Sequence, residues 1–289
     1  MAFLDHGEVR DIDTPENVLT KYADVFNPEG LQHANDDDDK ANQPVDDVIQ
    51  VEHLVKAFGS FRAVDDISFS VHRGEIFGFL GANGAGKTTA MHMLAGLNKP
   101  TAGKGTVGGY DIKKESEQIK KHIGYMSQRF SLYEDMTVAQ NIKLFGGIYG
   151  MSRQDIATKM EEMLKRLKFE DHRNTLVKSL PLGWKQKLAF SVSIFHEPEV
   201  VFLDEPTGGV DPATRRQFWE LIYDAAHRGI TVFVTTHYMD EAEYCDRISI
   251  MVDGKIRAMG TPDELKRTYN STSMDEVFTL LAREATRGE

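Results

Sequence analysis

The stretch Gly81-Ala-Asn-Gly-Ala-Gly-Lys-Thr-Thr89 decides the fold that this sequence predicts. It fits the pattern G-x-x-x-x-G-K-[ST], in which glycines let backbone N–H groups turn inward around a phosphate group. Residues 75–80 before it read as a buried strand, and residues 89–95 after it read as a helix. A strand, a glycine-rich loop and a helix N-terminus in this order suit anion binding. The stretch therefore predicts a phosphate-binding loop in an α/β fold, although a short glycine-rich turn can match such a pattern by chance.

The composition limits the classes of protein to which the chain can belong. With 289 residues, of which 40% are hydrophobic, it can form one or two domains. Cys245 is the single cysteine, so an intrachain disulfide is excluded and a reducing compartment is favoured. No apolar run approaches the ~18 residues of a membrane-spanning helix, and no secretory signal opens the sequence. We therefore expect a soluble chain that reaches a membrane only through a partner.

The net charge of −11 is concentrated at the N-terminus, because residues 1–48 carry −10 of it. The main domain that follows is nearly neutral. A nucleic-acid-binding domain would be expected to show a basic face. The sequence therefore predicts no nucleic-acid partner.

A repeat links the two ends of the chain and predicts its domain boundaries. Residues 7–22 align without gaps with residues 254–269, and the identical pairs are Gly7/Gly254, Arg10/Arg257, Thr14/Thr261, Pro15/Pro262 and Tyr22/Tyr269. A separation of 247 residues suggests a tandem array, with residues 1–22 as the tail of a preceding domain, although a chance match of a common turn remains an alternative. Residues 23–48 read as an acidic linker, whose run Asp36-Asp-Asp-Asp-Lys40 also resembles an engineered protease site.

Polar side chains end three predicted strands of the main domain. Asp204 and Glu205 follow the apolar run 200–203, His237 follows the run 231–236, and Gln128 follows the run 123–126. The carboxyl ends of parallel strands meet at the edge of the sheet where ligands bind. Asp204 is then placed to hold Mg²⁺, and Glu205 is placed to activate a water that attacks a γ-phosphate.

These motifs together resemble the ATP-binding cassette (ABC) family over residues 49 to about 280. The phosphate-binding loop is similar to the Walker A motif of that family, and Asp204 with Glu205 is similar to Walker B. Gln128, His237 and Asp211 stand where the family has its Q-loop glutamine, switch histidine and D-loop aspartate. The resemblance implies an α/β P-loop NTPase with a mostly parallel core sheet and an N-terminal antiparallel β subdomain. It also implies an inserted helical subdomain at about residues 130–189 of a domain that covers residues 49–289.

The resemblance implies that ATP and Mg²⁺ are the cofactors. Catalytic roles fall to Lys87, Gln128, Glu205 and His237, and the metal ligands would be Thr88, Gln128 and Asp204. The remaining contacts to the nucleotide would come from Phe58, Gly81, Asn83, Gly84, Ala85, Gly86, Lys87, Thr88, Thr89, Gly183 and Asp211.

The family's Leu-Ser-Gly-Gly-Gln signature is altered here to Leu180-Pro181-Leu182-Gly183-Trp184, which we call the signature segment. Pro181 offers neither a hydroxyl nor an N–H group, and Leu182 adds bulk where the family has glycine. Family members pair head to tail, so that each ATP lies between one phosphate-binding loop and the partner's signature. We therefore expect two unequal sites if the partner is a different cassette.

The function expected is an ATP hydrolase that powers an ABC-type membrane exporter, because the residue choices look most like ATPases of ABC-2-type drug-efflux systems. Its partners would be a second cassette, identical or not, and integral membrane permease subunits, which would hold it at the cytoplasmic face of the inner or plasma membrane. Tyr133, Glu134 and Met136 are candidates for the permease contact, or an ordinary loop and helix start. The alternative function is a soluble ABC ATPase that acts on ribosomes or DNA, against which the short acidic linker counts.

Overall fold

A computed structural model describes the backbone of residues 2–5 and 8–12, and residues 46–128 and 132–287. The strands described are β1 (Ala2–Asp5), β2 (Glu8–Ile12), β3 (Asp47–Phe58), β4 (Phe61–His72), β5 (Ile76–Leu80), β6 (Ala102–Val107), β7 (Tyr110–Asp111), β8 (Ile123–Met126), β9 (Val200–Asp204), β10 (Thr231–Thr236), β11 (Arg247–Val252) and β12 (Lys255–Gly260). The helices described are α1 (Lys87–Leu94), α2 (Ser116–His122), α3 (Val138–Ile148), α4 (Arg153–Leu167), α5 (Leu182–Ser193), α6 (Pro212–His227), α7 (Pro262–Thr268) and α8 (Met274–Arg287). Most of the predicted linker 23–48 lies outside the described residues.

A six-stranded sheet forms the centre of the main domain, with the strand order β12-β11-β5-β10-β9-β8. All neighbouring strands in it are parallel except β11 and β12, which form an antiparallel hairpin. Every residue of β5, β9 and β10 is buried, which explains why these strands read as continuous apolar runs rather than as alternating patterns. This arrangement confirms the predicted α/β fold with a mostly parallel core sheet.

A four-stranded antiparallel sheet, ordered β4-β3-β6-β7, covers one face of the core sheet. Strand β3 continues to Phe58, and the turn to β4 consists of Gly59 and Ser60 alone. Gly59 adopts a φ of 62°, which lets a two-residue turn follow the twist of the strands. Phe58 therefore pairs directly with Phe61 at the tip of a long hairpin.

Five phenylalanines join the two sheets. Phe69 of the antiparallel sheet lies 5.6–6.3 Å, between ring centroids, from Phe77, Phe79 and Phe233 of the core sheet. Phe202 adds a further ring 5.4 Å from Phe233. Such contacts bury large apolar areas and favour offset or tilted ring pairs. They fix the hairpin that ends at Phe58 relative to the edge of the core sheet.

Helices α3, α4 and α5 lie between β8 and β9, where the resemblance implies an inserted helical subdomain. Thr137 begins α3 with a capping box to Gln140, and Ser152 caps α4. The apolar residues of α4 spaced three and four apart are buried as their spacing predicts. No helix of the described ranges is long and apolar enough to cross a membrane.

Strands β1 and β2 form a separate two-stranded sheet near the N-terminus. Ala2 pairs with Ile12 and Asp5 pairs with Glu8, with a register shift after Phe3. The β11–β12 hairpin has the same pattern 247 residues later, including a register shift after Ile250. The two hairpins thus share their strand register and their irregularity, while residues 7 and 13–22 of the repeat lie outside the described residues.

Candidate active site

The phosphate-binding loop connects β5 to α1 at the carboxyl edge of the core sheet, as the sequence predicts. Gly84 and Gly86 have φ values of 85° and 106°, a region that residues with a side chain rarely adopt. A Cβ atom at Gly86 would also collide with the carbonyl oxygen of Ala63 on β4. Helix α1 starts at this loop without a side-chain cap, so its first N–H groups are left for an anion.

The side chains of the predicted contact residues in the loop differ in exposure. Asn83 is exposed, Thr89 is half-buried and Ala85 is buried. The carbonyl oxygen of Ala85 accepts a hydrogen bond of 3.0 Å from the backbone N–H of Gly254. The turn before β12 therefore supports the loop from behind.

Lys87 is the first residue of α1, and its side chain is only 4% exposed. Its Nζ donates to the carbonyl oxygens of Gly81 (2.8 Å) and Ala82 (3.1 Å) and lies 3.6 Å from Oε1 of Glu205. Burial lowers the pKa of Lys87, and the nearby carboxylates of Glu205 and Asp204 oppose that shift. A buried cation at the mouth of the loop is suited to bind a polyphosphate.

Asp204 ends β9 next to Thr88, the second residue of α1. Thr88 Oγ1 donates to Asp204 Oδ1 at 3.0 Å, and Thr235 Oγ1 donates to the same oxygen at 2.6 Å. The Asp204 side chain is buried. A carboxylate and a hydroxyl beside a phosphate-binding loop are hard oxygen ligands of the kind that Mg²⁺ prefers.

Three side chains converge on Glu205, and we call this group the Glu205 cluster. Gln128 Nε2 donates to Glu205 Oε2 at 2.8 Å, His237 Nδ1 lies 3.2 Å from Oε1, and Lys87 approaches the same oxygen. Glu205 has a φ of 46°, a strained conformation for a residue with a side chain. The structure thus brings together the four residues that the sequence analysis assigns to catalysis.

Thr235 is a neighbour of the cluster that the sequence analysis missed. Its carbonyl oxygen accepts from the backbone N–H of Glu205 at 3.1 Å, while its hydroxyl holds Asp204. It therefore orients both acidic residues from the adjacent strand β10. Threonine is β-branched and therefore common in strands, so the sequence contains no signal that distinguishes this role from ordinary strand propensity.

Phe58 lies at the tip of the β3–β4 hairpin with its side chain 54% exposed. Lys56 Nζ stands 5.2 Å from its ring centroid. The hairpin contacts the phosphate-binding loop through Ala63 and Gly86. An exposed aromatic ring held near this loop is free to stack on a planar base.

The signature segment leads into α5, of which Pro181 is the N-cap. Leu182 is 41% exposed. Trp184 turns into the helical insert, where it stacks on Phe169 (4.7 Å between centroids) and meets the His172 ring edge-on (4.8 Å). The tryptophan therefore packs inside its own chain, whereas the leucine is presented at the surface.

Gly183 and Asp211 lie near each other through Thr214. A Cβ atom at Gly183 would collide with the Thr214 side chain. Asp211 caps α6 by accepting from the backbone N–H (2.9 Å) and the hydroxyl (2.6 Å) of Thr214. Among the described residues, no hydrogen bond or ion pair joins Gly183 or Asp211 to the phosphate-binding loop of the same chain.

Comparisons with known proteins agree with this geometry. The chain is 49% identical over 223 residues to the probable multidrug ABC transporter ATP-binding protein YbhF of Escherichia coli, a match that covers 77% of this chain and 39% of that protein. It is 36% identical over 219 residues to the linearmycin resistance ATP-binding protein LnrL of Bacillus subtilis, covering 75% and 70%. A solved structure of the ATP-binding subunit of an ABC transporter superposes with a TM-score of 0.73 over 81% of this chain and 99% of that chain, at 26% identity.

The chain thus spans about two fifths of the length of its Escherichia coli relative. Residues 64–208 match the family model described as ABC transporter, and this range contains the phosphate-binding loop, the signature segment, Asp204 and Glu205. From the match to this model and to the Bacillus relative, the chain belongs to the ABC transporter family, whose ATP-binding cassettes hydrolyse ATP.

Proposed function

We propose that this chain is the ATP-hydrolysing subunit of an ABC-type membrane exporter. The observation that carries the proposal is the convergence of Lys87, Gln128 and His237 on Glu205 beside the phosphate-binding loop. The names of the two relatives, a probable multidrug transporter protein and a linearmycin resistance protein, support export rather than a role on ribosomes or DNA. Integral membrane subunits would hold the chain at the cytoplasmic face of the inner or plasma membrane.

The residues of the site divide the work of phosphoryl transfer. The loop N–H groups and Lys87 bind the β- and γ-phosphates of ATP. Glu205 orients a water and accepts its proton as the water attacks the γ-phosphate. His237 contacts the γ-phosphate, Gln128 holds the Glu205 carboxylate in place, and Phe58 stacks on the adenine base.

Mg²⁺ fits the oxygen atoms that this edge of the sheet offers. Thr88, Asp204 and the amide oxygen of Gln128 would hold the ion together with the phosphates of ATP. When bound, the ion neutralises charge that develops on the phosphate oxygens. Of these three ligands, Asp204 supplies the negative charge. Its buried carboxylate accepts hydrogen bonds from two hydroxyl groups.

A second cassette would complete the ATP site, because cassettes of this family pair head to tail. The signature segment is poorly suited to bind a partner's γ-phosphate. Pro181 has no N–H group, Leu182 is an exposed apolar side chain, and Trp184 packs against its own helical insert. We infer that the partner is a non-identical cassette with an intact signature. The site on this chain would then be the more active of two unequal sites.

The N-terminal hairpin supports the proposed domain division, in which residues 1–22 correspond to the end of a preceding cassette and residues 49–289 form the ATPase domain. Both β1–β2 and β11–β12 have the same register and the same shift at aligned positions. Chance identity in a short segment would not be expected to reproduce a strand irregularity. The coding sequence upstream of Met1 tests this division, since a second phosphate-binding loop is expected there.

Glu205→Gln tests the proposed activity most simply. Removal of a general base costs about 10²–10⁴-fold in rate, so ATP hydrolysis by the full chain in the presence of its partners should fall by at least about 100-fold. ATP affinity should stay within about threefold, because the substitution keeps the size of the side chain. Equal hydrolysis by both proteins would overturn the catalytic assignment, and co-purification with ribosomes instead of membrane subunits would overturn the exporter.

A further inference from the structure

Three contacts join the start of α5, which carries the signature segment, to the segment that follows β9: two reach the β9–α6 loop (residues 205–211), which begins at Glu205, and one reaches the first turn of α6. Gln186 Nε2 donates to the carbonyl oxygen of Gly208 at 3.2 Å. Leu182 Cδ2 lies 3.7 Å from the position that a Cβ atom would take at Gly209. Gly183 packs against Thr214, the residue that Asp211 holds at the start of α6. The surface offered to a partner and the catalytic loop are therefore packed against each other within one chain.

The burial of the Gln186 amide indicates a role in hydrogen bonding rather than in packing. The side chain is 5% exposed, and Oε1 has no hydrogen-bond partner among the described residues. A buried amide oxygen without a donor costs stability, which an apolar side chain of the same size would avoid. The amide is oriented by Gly208, because only the nitrogen can donate to a carbonyl oxygen.

The hydrogen bond restrains the turn on which Glu205 stands. The backbone N–H of Gly208 donates to the carbonyl oxygen of Glu205 at 3.2 Å and closes that turn. Glu205 itself has a strained φ of 46°, so its backbone depends on its surroundings. Gln186 thus lies two hydrogen bonds from the catalytic residue, through the carbonyl and the N–H of Gly208.

A cavity of about 190 Å³ lies between the side chains of Gln186 and Glu205, and Gln128, Leu182 and Gly208 also line it. The space is larger than the ~30 Å³ that one water occupies in the liquid. The Glu205 carboxylate is therefore not confined by packing on this side. The restraint from α5 reaches it through the backbone of the β9–α6 loop instead.

We propose that Gln186 is a positioning residue for ATP hydrolysis, which ties the signature segment to the loop that carries Glu205. Movement of α5 against a partner cassette would then shift the Glu205 carboxylate relative to Gln128 and Lys87. The inference rests on the proposed role of Glu205. It adds a route by which the altered surface of this chain influences its own site rather than only the partner's.

Gln186→Met in the full chain with its partners tests the proposal, because methionine keeps the length of the side chain and removes the donor. The turnover number should fall about tenfold, the loss expected from one hydrogen bond, while the KM for ATP stays within about twofold. Gln217→Met is the matched control, since Gln217 on α6 bonds to Lys187 and not to the β9–α6 loop. Glu205→Gln serves as the reference for the proposed function.

Gln186→Glu separates positioning from simple structural damage through its pH profile. A carboxylate cannot donate to the Gly208 carbonyl, but a protonated carboxyl can, and burial favours the protonated form. Activity relative to wild type should therefore rise as the pH is lowered from 8 to 6. Thermal unfolding of each variant checks that the domain is folded.

The outcomes distinguish the two proposals. If Glu205→Gln abolishes hydrolysis while Gln186→Met stays within twofold of wild type, the positioning role is wrong and the proposed function stands. An equal loss in Gln186→Met and Gln217→Met, or a flat relative pH profile for Gln186→Glu, also overturns the positioning role. If Glu205→Gln itself has no effect, the proposed function fails first.

Discussion

The Glu205 cluster and the signature segment lie on either side of the contact between the β9–α6 loop and the start of α5. They differ in what their side chains contact. In the cluster, every side chain faces another functional group: Gln128, His237 and Lys87 all approach Glu205 within 3.6 Å. In the signature segment, Trp184 packs into its own chain and Leu182 is left exposed. Under the proposed function, this contrast corresponds to a cassette that keeps the residues for its own ATP and lacks those that would serve a partner's.

The largest expected effect is on ATP hydrolysis, and it separates a lysine of the phosphate-binding loop from a lysine next to the signature segment. Lys87 lies in the phosphate-binding loop, and Lys185 lies in the first turn of α5, where it bonds to Glu134 at 2.8 Å. Removal of one preorganised donor to a reacting oxyanion costs about 10²–10³-fold. Lys87→Ala should therefore lower ATP hydrolysis at least about 100-fold, whereas Lys185→Ala should stay within about threefold. Similar losses in steady-state assays of both variants would erase the contrast between the regions.

The next effect is on stability and concerns Trp184. Trp184→Gln restores the residue type of the family signature but removes the ring that stacks on Phe169 and meets the His172 ring edge-on. We expect the free energy of unfolding to fall by about 2 kcal/mol, measured by denaturant titration. Leu182→Ala, a change at an exposed side chain, should cost less than about 0.5 kcal/mol. An unchanged free energy of unfolding for Trp184→Gln would mean that the stacking contacts do not hold Trp184, which would then be free to face a nucleotide.

Much of this arrangement was predictable from the sequence, because three strands of the core sheet, β8, β9 and β10, lead to polar residues after an apolar run. Asp204, Glu205 and His237 could be placed at one edge from that pattern alone. The role of Thr235 could not, since a threonine suits any strand. Nor could the packing of Trp184, because its neighbours Phe169 and His172 are distant from the family motif in sequence and meet it only through the folding of the insert.

A pH dependence of stability is expected from His196, which follows α5. Burial lowers the pKa of His196 to about 4, and its ring stacks on Tyr149 at 3.6 Å. The unfolded chain binds this proton near pH 6.5, so the native state loses stability as the pH falls from about 6.5 to about 4. The slope should stay below the ~1.4 kcal/mol per pH unit that one full proton gives.

His196→Phe checks this assignment, because phenylalanine keeps a ring next to Tyr149 and cannot bind a proton. The free energy of unfolding of the variant should fall less steeply with acid over the same window, as followed by denaturant titration at each pH. An unchanged slope would show that His196 is not the source of the acid sensitivity.

The central claim is that this chain has a competent ATP site and a signature segment that cannot complete a partner's site. A mixing experiment tests it directly. Wild-type chain is mixed with an excess of Lys87→Ala chain, which supplies a signature segment but does not hydrolyse ATP itself. The Lys87→Ala chain is used either with its native signature segment or with Pro181→Ser and Leu182→Gly added, and Trp184 is left in place because it packs internally. Hydrolysis by the wild-type chain should rise at least about tenfold only with the restored segment. Equal hydrolysis in the two mixtures, with the two chains shown to pair in each by size-exclusion chromatography in the presence of ATP, would show that the native signature segment serves a partner's site as well as the restored one.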